Sequence, residues 1–135
     1  MSTSPNPPAS KPPVILLVED ESMVREITGQ VLAHAGYSVL ESSNAKEALQ
    51  IATSHEGPID LLLTDIVMPE MNGADLAQRM LARQPDLVTV FMSGYAEHDV
   101  LKKAKFGSAV HIQKPFTIDV LLTRVSQALN ENSRR

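Results

Sequence analysis

Val14-Ile15-Leu16-Leu17-Val18 is an unbroken apolar run that passes directly into Glu19-Asp20-Glu21. A strand that faces water on one side alternates apolar and polar residues. A strand this uniformly apolar must be covered on both faces, as in a parallel sheet packed between helices. The run is followed by Met23, Val24, Ile27, Val31 and Leu32 at helical spacing, until Gly36 offers a C-terminal stop. That succession recurs along the chain. A short strand is predicted at Ser38 to Glu41, then a helix capped by Asn44. Glu47 completes a capping-box pattern there, and Ala45, Ala48, Leu49 and Ala52 form the inner stripe. A third strand, Ile59 to Thr64, runs into Asp65 and a loop bearing Pro69 and Gly73, after which Leu76, Ala77, Met80 and Leu81 mark a helix ending near Pro85. Leu87 to Met92 reads as a fourth strand. A weakly apolar helix around Glu97 to Lys105 leads through Gly107 to a fifth strand at Ala109 to Ile112. The last helix opens at Thr117 with Ile118, Leu121, Leu122, Val125 and Leu129 on one face. Five βα units of this kind predict an α/β fold. The units share no pattern beyond hydrophobic alternation, so the chain is not a repeat array.

With 135 residues, 43% of them hydrophobic, the chain supports one ordinary core. Residues 1–13 contain Pro5, Pro7, Pro8, Pro12 and Pro13 among serines and are expected to be a disordered tail or linker. The folded domain is expected over 14–130, with a short C-terminal tail at 131–135 and no separate output domain. A net charge of -4 with scattered Lys and Arg argues against direct nucleic-acid binding. Cysteine is absent, which excludes disulfides, thiolate metal sites and cysteine nucleophiles. No apolar run reaches membrane-spanning length and no signal peptide is visible, so a soluble cytoplasmic protein with no membrane partner is the expectation.

Five polar residues follow apolar strands directly: Glu19 and Asp20 after the first, Asp65 after the third, Ser93 after the fourth and Lys114 after the fifth. In an open parallel sheet the residues that follow different strands gather at one edge, where ligands of such folds bind. Three carboxylates and one ammonium sum to -2, and crowded carboxylates repel unless a cation neutralises them. Mg²⁺ suits such a site because it takes oxygen ligands and commonly uses one or two carboxylates together with phosphate oxygens. Phosphoryl transfer asks a protein mainly for positioning and charge neutralisation, which a cation, Lys114 and the Ser93 hydroxyl can supply around an Asp65 nucleophile. The loop after Asp65 could leave its carboxylate exposed and bring the Val67 carbonyl to the metal.

Glu19-Asp20, the run from Asp65 to Gly73 (Asp-Ile-Val-Met-Pro-Glu-Met-Asn-Gly), Ser93-Gly94 and Lys114-Pro115-Phe116 together resemble the receiver domains of response regulators, the phosphoacceptors of two-component signalling. The resemblance spans Val14 to about Leu129 and rests on four motifs in the family's order. It implies a flavodoxin-like (βα)5 three-layer sandwich with strand order 2-1-3-4-5. It also implies that Asp65 takes the phosphoryl group, and that Asp20, Asp65 and the Val67 carbonyl hold Mg²⁺, for which Mn²⁺ can substitute. Glu19, where the family often has Asp, acts through a metal-bound water. Ser93 and Lys114 contact the phosphoryl oxygens, Gly94 leaves room for the group, and the Lys114-Pro115 bond is cis. The implied partners are a histidine kinase or histidine phosphotransfer protein as donor, and a downstream protein that reads the fourth helix, fifth strand and last helix. The chain would then be no enzyme beyond its own phosphorylation and dephosphorylation, and either a free-standing regulator or the receiver of a hybrid histidine kinase. His111 departs from the Tyr or Phe common in the family. It is either a switch together with Ser93, or a strand residue facing the last helix.

Taken singly, these residues have ordinary readings. Glu19-Asp20 would cap the next helix and complement its dipole, Asp65 and Ser93 would be turn residues, and Lys114 a solvated lysine. Their joint placement at the strand ends favours a site. Met23, Met80 and Met92 are expected to fill the core, while His34, His55 and His98 show no ligand spacing. Lys102, Lys103 and Lys105 read as a solvated helix face. A metal-dependent aspartyl-phosphate phosphohydrolase is the competing class. It would need an acid two residues after the nucleophile, where this chain has Val67. A flavin-binding flavodoxin is disfavoured because the loop after the first strand is acidic where a flavin phosphate needs hydroxyls and free backbone donors.

Overall fold

The computed structural model describes residues 11–94 and 110–133. Along the chain run β1 (Val14–Val18), α1 (Ser22–His34), β2 (Ser38–Ser42), α2 (Ala45–Ser54), β3 (Leu61–Asp65), α3 (Gly73–Arg83), β4 (Val88–Ser93), β5 (Val110–Gln113) and α4 (Ile118–Ser133). The strands form one parallel sheet in the order β2-β1-β3-β4-β5, as the resemblance implied. The helix expected around Glu97 to Lys105, with Gly107, His98 and the three lysines, lies outside the described residues, as does most of the Pro-rich tail.

The continuous apolar strands are covered on both faces. Leu16, Val18, Leu62 and Phe91 point to one side and pack with Ala45 and Ala48 of α2 and Leu76, Ala77 and Met80 of α3. Ile15, Leu17, Leu63, Met92 and Ile112 point to the other, against Leu32 of α1 and Leu121, Val125 and Ala128 of α4. Each fully buried Leu, Ile, Val, Phe or Met side chain among these contributes roughly 1.5–3 kcal/mol relative to exposure. Local signals set the helix ends. The Asn44 side chain accepts from the Glu47 N–H at 2.7 Å, while Glu47 Oε1 accepts from the Ser43 N–H at 2.8 Å, one residue ahead of the amide a capping box would use. Gly36, with φ of +105°, supplies the left-handed turn after α1.

Several expectations are corrected. The inner stripe of α1 is Thr28, Gly29 and Leu32, while Met23 is 71% and Ile27 56% exposed, so Met23 fills no core. Gly29 shows why: a Cβ there would stand 2.4 Å from Glu41 Oε2, so the helix turns its smallest residues to β2. Ile118 is likewise exposed, and α4 buries Leu121, Val125 and Ala128. The third strand begins at Leu61 and not Ile59, because the N–H and carbonyl of Ile59 both bond the Gln84 side chain. Asp65 and Ser93 are the last residues of β3 and β4, in register with Met92 and Gln113. Helix α4 continues to Ser133, into the stretch expected to be a tail.

Candidate functional site

Parallel strands deliver the acidic and basic residues to one edge of the sheet. Glu19 and Asp20 leave β1, Asp65 ends β3, Ser93 ends β4, and Lys114 follows β5. One carboxylate oxygen from each of Glu19, Asp20 and Asp65 lies within 4.8 Å of the others. Lys114 Nζ stands 2.7 Å from Glu19 Oε1 and 2.6 Å from Asp65 Oδ1, bridging the two buried acids. Asp20 is exposed and Glu19 fully buried.

Asp65 is only 4% exposed, against the expectation that its loop would open it to solvent. The reason is the path of the backbone. The Gly73 N–H donates to the Ile66 carbonyl at 2.6 Å, and Glu70 takes a left-handed φ of 74° between them. A Cβ on Gly73 would lie 2.0 Å from the Asp65 carbonyl oxygen, so only glycine lets α3 start this close to the end of β3. Asn72 caps α3 by accepting from the Asp75 N–H at 2.8 Å, a signal that a second Asx-x-x-acid pattern in the sequence carried. The Thr64 hydroxyl also donates to the Asp65 carbonyl, at 2.9 Å.

The electrostatics follow from this crowding. Burial first, then the Glu19 carboxylate, push the Asp65 carboxyl up to about 8, against the opposing pull of Lys114. For Glu19, burial raises the pKa, but bonds to Asp65 and Lys114 outweigh it and hold the group below its ordinary value. Burial disfavours the Lys114 ammonium, yet its two carboxylate partners keep its pKa above normal. Although Lys114 makes a close ion pair with Oδ1, neither Asp65 carboxylate oxygen has a partner in hydrogen-bond geometry. Buried, unbonded carboxylate oxygens beside two further acids fit a hard divalent cation of the Mg²⁺ type.

The remaining predicted residues divide. Val67 carries an exposed side chain beside the site. A Cβ on Gly94 would meet no described atom within 4 Å. The Lys114-Pro115 bond is cis. The helix-cap reading of Glu19-Asp20 does not hold: the N-cap of α1 is Glu21, with no side-chain capping bond and no acid in the first turn. Instead Glu19 Oε2 accepts from the Glu21 N–H at 3.3 Å. His111 does not face the last helix. It is in register with Phe91, whose side chain packs on the α2 and α3 side, while the neighbouring Ile112 faces α4. The His111 Nε2 is hydrogen-bonded to the Ser93 hydroxyl. Arg25 was not singled out from sequence, yet its Nη1 donates to the Glu19 carbonyl at 2.8 Å and steadies the end of β1. Only its place four residues after Glu21 could have drawn notice.

A doubly wound α/β domain that gathers three acids and a lysine at the carboxyl ends of its strands defines a class of acid-pocket domain, and comparison with known proteins narrows it. Residues 15–126 match the model of the response regulator receiver domain, and the chain belongs to that family, the receivers of two-component systems. It is 38% identical over 121 residues to the sensor kinase CckA of Brucella abortus, an alignment that covers 87% of this chain and 12% of that much longer kinase. It is 36% identical to the response regulator receiver protein CpdR of the same species, covering 85% of this chain and 95% of the relative. A crystal structure of the receiver domain from hybrid histidine kinase CckA superposes with a TM-score of 0.73 at 36% identity, covering 86% of this chain and 98% of that one. Among the described residues no helix is long and apolar enough to cross a membrane.

Proposed function

We propose that this receiver accepts a phosphoryl group on Asp65 from a histidine kinase or histidine phosphotransfer protein, and that the change of charge alters what it binds. The observation that carries the reading is the buried Asp65 carboxylate, ion-paired with the Lys114 ammonium and set beside the carboxylates of Glu19 and Asp20. An Asp65 oxygen attacks the phosphorus of the donor's phosphohistidine. The P–N bond breaks, its electron pair stays on the donor imidazole, and an acyl phosphate forms on Asp65. Lys114 turns from the carboxylate oxygen to the incoming phosphoryl oxygens, the Ser93 hydroxyl donates to one of them, and Gly94 admits the group. Glu19, Asp20, Asp65 and the Val67 carbonyl would hold Mg²⁺ or Mn²⁺, which supplies charge neutralisation.

The exposed apolar side chains Met23, Ile27, Val67 and Ile118, from elements that border the pocket, support docking of a protein donor over a small-ester substrate. The apolar Val67, where a phosphohydrolase needs its acid and base, supports a switch over an enzyme that turns over external phosphate. The downstream reader is assigned to the side of β5 and α4. Residues 14–130 are proposed as the receiver unit, at work in the cytoplasm. The similarity to CckA favours a second reading, in which the chain is the receiver of a hybrid histidine kinase. The test is phosphorylation by a labelled small phosphodonor with Mg²⁺: the wild type gains one phosphoryl group and Asp65→Asn gains none. A labelled variant would overturn the assignment.

A further inference from the structure

Two of the three acids in the pocket are held by their own side chains, and Asp20 is not. Glu19 and Asp65 pair with Lys114 inside the protein, at 2.7 and 2.6 Å. The Asp20 carboxylate is exposed, and among the described residues no hydrogen bond or ion pair reaches it. It stays where the backbone puts it, within 4.8 Å of two carboxylates that repel it. The backbone of Glu19, which delivers Asp20, is clamped on both sides. Its N–H donates to the Ser42 carbonyl of β2 at 3.1 Å, and its carbonyl accepts from Arg25 Nη1 at 2.8 Å. Arg25 is aimed in turn. Its Nε stands 3.8 Å from Glu41 Oε1 on β2, and the other Glu41 oxygen fills the space over Gly29 of α1, where a Cβ would collide with it. The fixed fork of a guanidinium suits it to hold a carbonyl and a carboxylate together.

We propose that Arg25 is a positioning residue for the cation: through the Glu19 carbonyl it fixes the peptide that carries Asp20, while Glu41, seated against Gly29, fixes Arg25. This deepens the phosphoacceptor reading above and rests on it. The guanidinium does this work against its own charge. A positive group close to three acids weakens their pull on Mg²⁺. An Arg25 that acted by charge alone and an Arg25 that positions Asp20 therefore predict opposite signs when the side chain is made neutral.

Stepwise addition of Mg²⁺ to the full chain, followed on the backbone amide NMR signals of Asp20 and Asp65, reads the dissociation constant at the site. Urea unfolding in EDTA reports separately on the fold. Arg25→Met keeps the apolar stem and should bind Mg²⁺ about tenfold more weakly, the low end of the range for residues that support metal ligands. Gly29→Ala changes no charge and places a good helix former in α1, yet it pushes the Glu41 carboxylate off its seat. It should weaken Mg²⁺ binding by a smaller factor, and add nothing in an Arg25→Met background. Should Arg25→Met fail to fold, Gly29→Ala alone carries the test. Unchanged or tighter Mg²⁺ binding by either folded variant would overturn the proposal, as would a Gly29→Ala effect that persists without Arg25. A wild type whose Asp20 and Asp65 signals ignore Mg²⁺ would sink the phosphoacceptor reading and this inference with it.

Discussion

Replacing Asp65 by Asn should strengthen the metal-free fold at neutral to alkaline pH. In the unfolded chain Asp65 releases its proton near 3.8, while in the folded protein burial and Glu19 delay that release to about 8. Between those values the folded state binds more protons than the unfolded one, so unfolding free energy falls as pH rises. Each pH unit removes up to about 1.4 kcal/mol. Over a window about four pH units wide the ceiling is about 6 kcal/mol. The variant also loses the attraction of Lys114 at 2.6 Å and buries an amide with no ready partner, which offset part of the gain. A net stabilisation of about 1–3 kcal/mol at pH 8 is expected. Urea unfolding in EDTA, followed by far-UV circular dichroism, measures it at pH 8 and again at pH 5, where the advantage should shrink toward zero or reverse. Adding Mg²⁺ should narrow the gap at pH 8, since the cation binds only the carboxylate form well. A variant no more stable than wild type at pH 8 in EDTA, or a gap that is the same at both pH values, would refute the reasoning.

Other substitutions probe other parts of the frame. Gly73→Ala forces a methyl group against the Asp65 carbonyl and should cost at least the 1–3 kcal/mol typical of overpacking, measured by urea midpoint. Asn44→Ala removes the cap of α2 and should cost about 1 kcal/mol by the same assay. Mg²⁺ should raise the melting temperature of the wild type in a concentration-dependent way, and Asp20→Asn should blunt that rise; equal shifts would remove Asp20 from the metal shell. Lys114→Ala should still take up label slowly but leave the β5 and α4 amide NMR signals in their unphosphorylated positions, which a wild-type pattern of shifts would contradict.

Much of the frame was readable because strands buried on two faces advertise themselves as unbroken apolar runs, and because Asn44 and Gly36 mark helix ends by local chemistry. The edge where the site forms was readable for the same reason: parallel strands carry whatever follows them to one place. Details that depend on pairing were not. Asp65 and Ser93 belong to their strands only because Met92 and Gln113 stand beside them, and the side to which His111 points depends on its register with Phe91. Apolar spacing on α1 could not separate residues that face the sheet from those left outside, since Gly29 turned the helix. The union of Glu19 with Lys114 joins positions 95 residues apart, and no local pattern announces it.

The turn that begins at Ile66 is cinched at its base by the Gly73 amide on the Ile66 carbonyl, with a further bond from the Met71 N–H to the Pro69 carbonyl at 2.8 Å inside it. Such a knot fixes length more strictly than composition. Exchanges at outward positions such as Val67 should pass with little effect on the fold, whereas inserting or deleting a single residue would pull the helix off its seat and displace the Asp65 carboxylate.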